Sequence, residues 1–177
     1  MTITLCLELL LLLTVVLAAC NDLSTRRIPN VLLLASGVGA IALHLAAPAP
    51  ADALLRGLGG AATGLAVFLP LYILRGMAAG DVKLMATVGL FLSAGDAFEV
   101  AVMTVCAGGV MAVAVVLWNG RWRAAWANVL ALLRPIVMGM AGVRLAAEPM
   151  PQPSVGNLPY GLAIASATLI FLAQRHC

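Results

Sequence analysis

Six long apolar runs, separated by short polar segments, restrict this chain more than any other feature of its sequence. A transmembrane helix needs about 20 mostly apolar residues. The 177 residues are 63% hydrophobic and only 10% charged, whereas a soluble domain carries roughly a quarter charged residues. We therefore predict an all-α polytopic membrane protein with about six transmembrane helices. The runs cover residues 3–20, 31–47, 54–74, 82–93, 97–118 and 156–173.

The segment between the fifth and sixth runs allows two interpretations. Residues 121–147 are apolar enough for a seventh span, but Arg134 would then lie at its centre, at a cost of about 3 kcal/mol. Trp118, Trp122 and Trp126 recur at every fourth position and so share one helical face. Because tryptophan and arginine favour the membrane–water interface, we expect an interfacial helix within a long cytoplasmic loop.

The distribution of basic residues predicts the orientation of the chain. If the N-terminus is outside, the outer side holds only Arg56 and Arg175. Cytoplasmic loops carry the excess of Lys and Arg, so the net charge of +3 reflects membrane topology and gives no indication of nucleic-acid binding. The segments then assigned to the cytoplasm hold Arg26, Arg27, Arg75, Lys83, Arg121, Arg123, Arg134 and Arg144.

Neither the cysteines nor the histidines form a metal-binding pattern. The four cysteines are scattered and make no CxxC pair, so neither a zinc site nor a disulfide framework is predicted. His44 and His176 have no evident ligand partner. The "LAAC" box that ends at Cys20 resembles a lipoprotein cleavage site, but no basic residue precedes it. A secretory signal begins with such residues, and we therefore expect the first helix to be retained.

Two of the seven acidic residues stand out because they share one side of the membrane. Asp22 lies at the cytoplasmic end of the first predicted helix and Asp81 at the start of the fourth. The chain crosses the membrane twice between them, which returns it to the same face. Paired carboxyl groups share a proton, so that one can act as a base towards water while the other polarises a carbonyl. Either residue alone could also be a helix cap or a turn residue.

Three segments together resemble the prepilin peptidases, a family of polytopic aspartyl proteases with a GxGD motif. They are "NDLSTRRIPN" at residues 21–30, "AAGDVKLMATVG" at 78–89 and "LPYGLAIA" at 158–165. The resemblance implies that Asp22 and Asp81 are the catalytic pair. It also implies cleavage of the short basic leader of type IV prepilins at the cytoplasmic face of the bacterial inner membrane, with no metal or organic cofactor.

The length of the chain refines this resemblance. Larger members carry an additional region with paired CxxC motifs and also methylate the product, whereas this chain is similar to the short, peptidase-only members that serve tight-adherence (Flp-type) pili. We therefore predict one transmembrane aspartyl peptidase domain over residues 1–177, without a methyltransferase or zinc-binding insertion. One position departs from the motif, because Ala78 replaces the first glycine. Its methyl group would disturb the site if the backbone had a positive φ.

Two other functions remain open from the residues alone. Carboxylates in membrane segments often mark proton paths, so a small ion or proton transporter is one alternative. A non-catalytic pilus-assembly subunit, in which the aspartates only cap helices, is the other. The expected partners are prepilin or pseudopilin precursors and the lipid bilayer, and the sequence does not predict the oligomeric state.

Overall fold

The chain is all-helical in the part that the structure, a computed structural model, describes: residues 2–74, 76–118, 120, 123, 126, 127, 130 and 160–176. This confirms the predicted helical class for these residues. The helices are α1 (Thr2–Thr25), α2 (Asn30–Leu45), α3 (Pro50–Ile73), α4 (Ala79–Leu90), α5 (Ala94–Trp118) and α6 (Tyr160–His176).

Three of these helices are long and apolar enough to cross a membrane. They cover Ile3–Thr25, Pro50–Ile73 and Ala94–Trp118, which agrees with a membrane protein. Helix α2 is apolar but has 16 residues, and α4 has only 12. At 1.5 Å per residue, a helix of 12 residues reaches about 18 Å, less than the hydrocarbon core of a bilayer. The number of six transmembrane helices therefore stays a prediction.

Contacts divide the chain into two compact units. The first contains Met1–Gly108 together with Pro159–Cys177, and so includes α1 to α4, most of α5 and α6. The second contains Gly109–Leu158, including the end of α5, where Trp118 is almost fully exposed. Most of the interfacial helix predicted at residues 121–147, with Trp122 and Arg134, lies outside the described residues. Within it Arg123, Trp126, Ala127 and Leu130 are helical.

Helix α4 is the most enclosed part of the first unit. Seven of its 12 residues are buried, and it packs along α3 through glycines. A methyl group at Gly64 would lie 2.6 Å from the carbonyl oxygen of Met85, and one at Gly60 would lie still closer to the carbonyl oxygen of Gly89. The small residues at positions 60 and 64 therefore permit close packing of the two helices. This contact fixes α4, and with it the position of Asp81.

The end of α4 is held by His44, whose structural role was not predicted. Its Nε2 atom lies 2.9 Å from the carbonyl oxygen of Leu90, and the imidazole is buried. A carbonyl in the last turn of a helix has no partner within that helix, so the ring N–H supplies one. Gly57 makes room for the ring, because a methyl group there would lie 2.8 Å from Nε2.

Candidate active site

Asp22 lies in the last turns of α1 and is buried, with 7% of its surface exposed. Its Oδ2 atom accepts a hydrogen bond of 2.8 Å from the backbone N–H of Gly161, the second residue of α6. The first N–H groups of a helix have no partner within the helix, and the helix dipole places positive potential there. The start of α6 therefore supplies the Asp22 carboxyl group with a hydrogen-bond donor and with positive potential.

Asp81 is the third residue of α4 and is equally buried, with 6% exposed. Its Oδ2 atom accepts a longer hydrogen bond, 3.3 Å, from the backbone N–H of Ala78. A carboxylate at the third position of a helix often makes this capping interaction. Asp81 thus forms the hydrogen bond expected of a helix cap. A further role has to be argued from the residues around it.

Those surroundings include the other aspartate. Asp81 lies outside the three helices that could span a membrane. Burial, and next the negative charge of Asp22, raise the pKa of Asp81 to about 6, while the hydrogen bond from Ala78 lowers it. Because α1, α4 and α6 all contact one another, the fold brings Asp22 and Asp81 into one buried site. Two carboxyl groups that influence each other in this way favour a state with one shared proton.

The alanine in the first position of the GxGD-like motif fits its backbone. Ala78 has φ −82° and ψ 152°, an extended conformation that any L-residue adopts. The side chain therefore imposes no backbone strain. Gly80, just before Asp81, would also accept a methyl group, since its nearest neighbour would be Ile28 at 3.7 Å. Ala78 and Ala79 are exposed, so the approach to Asp81 is lined by small side chains.

The lysine next to the site does not neutralise it. Lys83 Nζ donates a hydrogen bond of 3.2 Å to Oδ1 of Asn30, the first residue of α2. This direction follows from helical geometry, since residues two apart point to different faces. Lys83 therefore does not offset the effect that the negative charge of Asp22 has on Asp81.

Within the described part of the chain, no group of three or more His, Cys, Asp or Glu side chains could hold a metal ion. The cysteines Cys6, Cys20 and Cys106 are free and exposed, and Cys177 lies outside the described residues. The groups that the described residues bring to this site are the two carboxyl groups and the N–H groups at the starts of α4 and α6.

Sequence reasoning did not assign a role to Gly161 or Tyr160. Gly161 lies 139 residues from Asp22 in the chain, and a methyl group on it would lie 2.9 Å from Oδ2 of Asp22. The Tyr160 ring packs on Gly108 of α5, where a methyl group would lie 2.7 Å from its Cε1 atom. The segment "LPYGLAIA" contributed to the family resemblance, but nothing in its pattern showed what it would contact.

The fold and this site define a helical protein of membrane type with a buried pair of carboxyl groups. Comparison with protein families identifies the chain further: the profile of the type IV leader peptidase family matches residues 9–113, more than half of the sequence. The chain belongs to the type IV leader peptidase family, as its motifs predicted. Asp22 and Asp81 both lie within the matched region. No curated protein and no solved structure matches the chain.

Proposed function

We propose that the protein is an aspartic-type endopeptidase that removes the basic leader of Flp-type prepilins at the cytoplasmic face of the inner membrane. Membership of the leader peptidase family supports the reaction and the class of substrate. The observation that carries the assignment to Asp22 and Asp81 is the pair of buried carboxyl groups, one of which raises the pKa of the other.

The two aspartates have different roles in this proposal. Asp22 is the base, because the N–H of Gly161 and the start of α6 stabilise its carboxylate. Asp81 is the acid, because burial and the charge of Asp22 favour its protonated form. A water between them gives its proton to Asp22 while its oxygen attacks the scissile carbonyl carbon. Asp81 gives its proton to the carbonyl oxygen, which forms a neutral gem-diol.

The second half of the reaction restores both groups. The gem-diol collapses as its C–N bond breaks, and the leaving amine takes the proton that Asp22 carries. One diol hydroxyl returns its proton to Asp81 and becomes the carbonyl oxygen of the released leader. Protons and electrons balance with water as the sole co-reactant, so no metal or organic cofactor is needed for any step.

Access to the pair is consistent with an extended peptide. The exposed alanines Ala78 and Ala79 leave space beside Asp81, and a backbone in extended conformation needs such space to approach a carboxyl group. The leader is basic, as are the neighbouring Arg26 and Arg27, so the carboxyl groups supply the local attraction. In this proposal the two arginines serve mainly to fix the membrane orientation.

A non-catalytic assembly subunit is the second candidate, and one observation favours it. The hydrogen bond from the Ala78 N–H to Asp81 is the bond that a simple helix cap would form. The test is cleavage of a co-expressed Flp-type prepilin by the wild type and by Asp22→Asn and Asp81→Asn. Loss of cleavage in both variants supports the peptidase, whereas assembly without any cleavage by the wild type supports the subunit.

A further inference from the structure

A second polar site lies at the opposite end of the first unit from the aspartates. It is a cavity of about 410 Å³ between the start of α1 and parts of the other helices. Glu8 lines it and is 14 residues before Asp22 on the same helix, which corresponds to a distance of about 21 Å along the helix axis. The distance shows that the cavity is separate from the proposed catalytic pair. The cavity volume lies in the range of sites that hold small molecules.

The walls of the cavity combine both signs of charge with an apolar floor. Arg56 and Arg175 contribute guanidinium groups from α3 and α6, and Asp96 contributes a carboxyl group from the first turn of α5. The apolar part is formed by side chains of α1 and of the segment at the end of α4. These are Leu7, Leu11, Phe91 and Leu92.

The charged groups differ in how far they are already paired. Glu8 forms an ion pair of 3.0 Å with His176. Across the described residues Arg56, Arg175 and Asp96 form no ion pair. Arg56 uses only Nε, in a hydrogen bond of 3.4 Å to the carbonyl oxygen of Asp52. Two guanidinium groups and one carboxylate therefore border the cavity with most of their hydrogen-bonding capacity available to a ligand.

The chemistry of this lining selects one kind of ligand. Guanidinium groups match the oxygens of a phosphate through paired hydrogen bonds, and a carboxylate matches an ammonium group. The α3 and α5 helices, both long and apolar enough to span a membrane, begin beside the cavity. In a spanning arrangement their first turns, and the cavity with them, lie near the lipid headgroups. We infer that this cavity binds an aminophospholipid, with its phosphodiester at Arg56 and Arg175, its ammonium at Asp96 and its first acyl carbons on the apolar floor.

Thermal unfolding of the delipidated full-length protein in detergent tests this inference, with dihexanoyl phosphatidylethanolamine as the probe. Dihexanoyl phosphatidylglycerol and inorganic phosphate are the comparison ligands, since they carry the phosphate without the ammonium or without the lipid. The variants are Arg56→Gln/Arg175→Gln and Asp96→Asn. Lys83→Gln is the matched control, because it removes a cation from the other end of the unit.

We expect phosphatidylethanolamine to raise the unfolding temperature and to bind the double variant at least about tenfold more weakly than the wild type. Asp96→Asn should weaken the binding of phosphatidylethanolamine and leave the binding of phosphatidylglycerol unchanged. Lys83→Gln should bind both lipids as the wild type does.

If phosphatidylethanolamine binds the double variant as tightly as the wild type, the proposed site is wrong. An equal response to inorganic phosphate means an adventitious ion only, and equal affinity for the two lipids overturns recognition of the ammonium. If the double variant fails to fold, Arg175→Gln alone, at an exposed position near the chain end, makes the same comparison.

Discussion

The backbone N–H of Gly161 donates a hydrogen bond of 2.8 Å to Oδ2 of Asp22, and a methyl group on this glycine would lie 2.9 Å from the same oxygen. The contact joins α6 to α1 inside the protein. It supplies a donor to a carboxylate that has little contact with water, and it leaves no room for a larger residue. In our account this contact positions the Asp22 carboxyl group for its role as the base.

Replacing Gly161 with alanine should therefore damage the site more than the fold. The added methyl group has to displace the Asp22 carboxyl group, and a displacement of about 1 Å in a catalytic group can cost on the order of 100-fold in rate. We expect a loss of this size in kcat/KM for a prepilin leader peptide. The matched control is Gly109→Ala, where a methyl group would meet nothing within 4 Å. Equal activities of the two variants would contradict the role of Gly161.

Replacing Asp81 with asparagine should stabilise the fold at neutral pH. The folded-state pKa of about 6 exceeds the ordinary value of 3.8, so the folded protein binds more protons than the unfolded chain between these values. The contribution of Asp81 to the free energy of unfolding is therefore greatest below pH 3.8 and falls as the pH rises through about 6. Above that pH it remains unfavourable. We expect Asp81→Asn to raise the unfolding temperature by a few degrees at pH 7.5 and to make little difference near pH 4.

The same comparison separates a catalytic Asp81 from a capping one. If the charge of Asp81 served mainly to cap α4, its removal would lower the unfolding temperature at pH 7.5, because the ionised carboxylate is the stronger acceptor for the Ala78 N–H. Destabilisation at pH 7.5 would thus favour the non-catalytic alternative.

The alanine at position 78 should not limit activity. Its φ of −82° is accessible to every L-residue, so glycine offers no relief of strain. We expect Ala78→Gly to change kcat/KM by no more than about threefold, with a small loss of stability from the added freedom of the unfolded chain. An increase of tenfold or more would show that the methyl group obstructs the bound substrate.

His44 should matter for stability through the end of α4. Truncation to alanine leaves the buried carbonyl of Leu90 without its partner, at a cost of about 1–3 kcal/mol. His176→Ala is a suitable control, because it removes an exposed histidine whose pair with Glu8 contributes about 1 kcal/mol or less. Denaturation in detergent should rank His44→Ala as clearly the less stable. A reversed or equal ranking would contradict this role.

The sequence predicted the helical class and brought attention to Asp22 and Asp81 for a physical reason. Apolar runs are a direct consequence of a lipid environment, and the two crossings predicted between Asp22 and Asp81 placed both residues on one side in that prediction. Helix ends were less predictable: the run at residues 82–93 forms a helix that ends at Leu90, since apolar composition alone does not reveal where a helix ends. The contacts of Gly161 and His44 were missed because each depends on packing between distant segments, 139 and 46 residues apart.

The central claim is that Asp22 and Asp81 act together in cleaving a prepilin leader. The most direct measurement is leader removal from a co-expressed Flp-type prepilin, read as a mobility shift, for the wild type, Asp22→Asn, Asp81→Asn and the exposed control Asp52→Asn. With equal expression in the membrane, we predict cleavage by the wild type and by Asp52→Asn, and none by either active-site variant. Cleavage that persists in Asp22→Asn or Asp81→Asn would contradict the aspartyl mechanism.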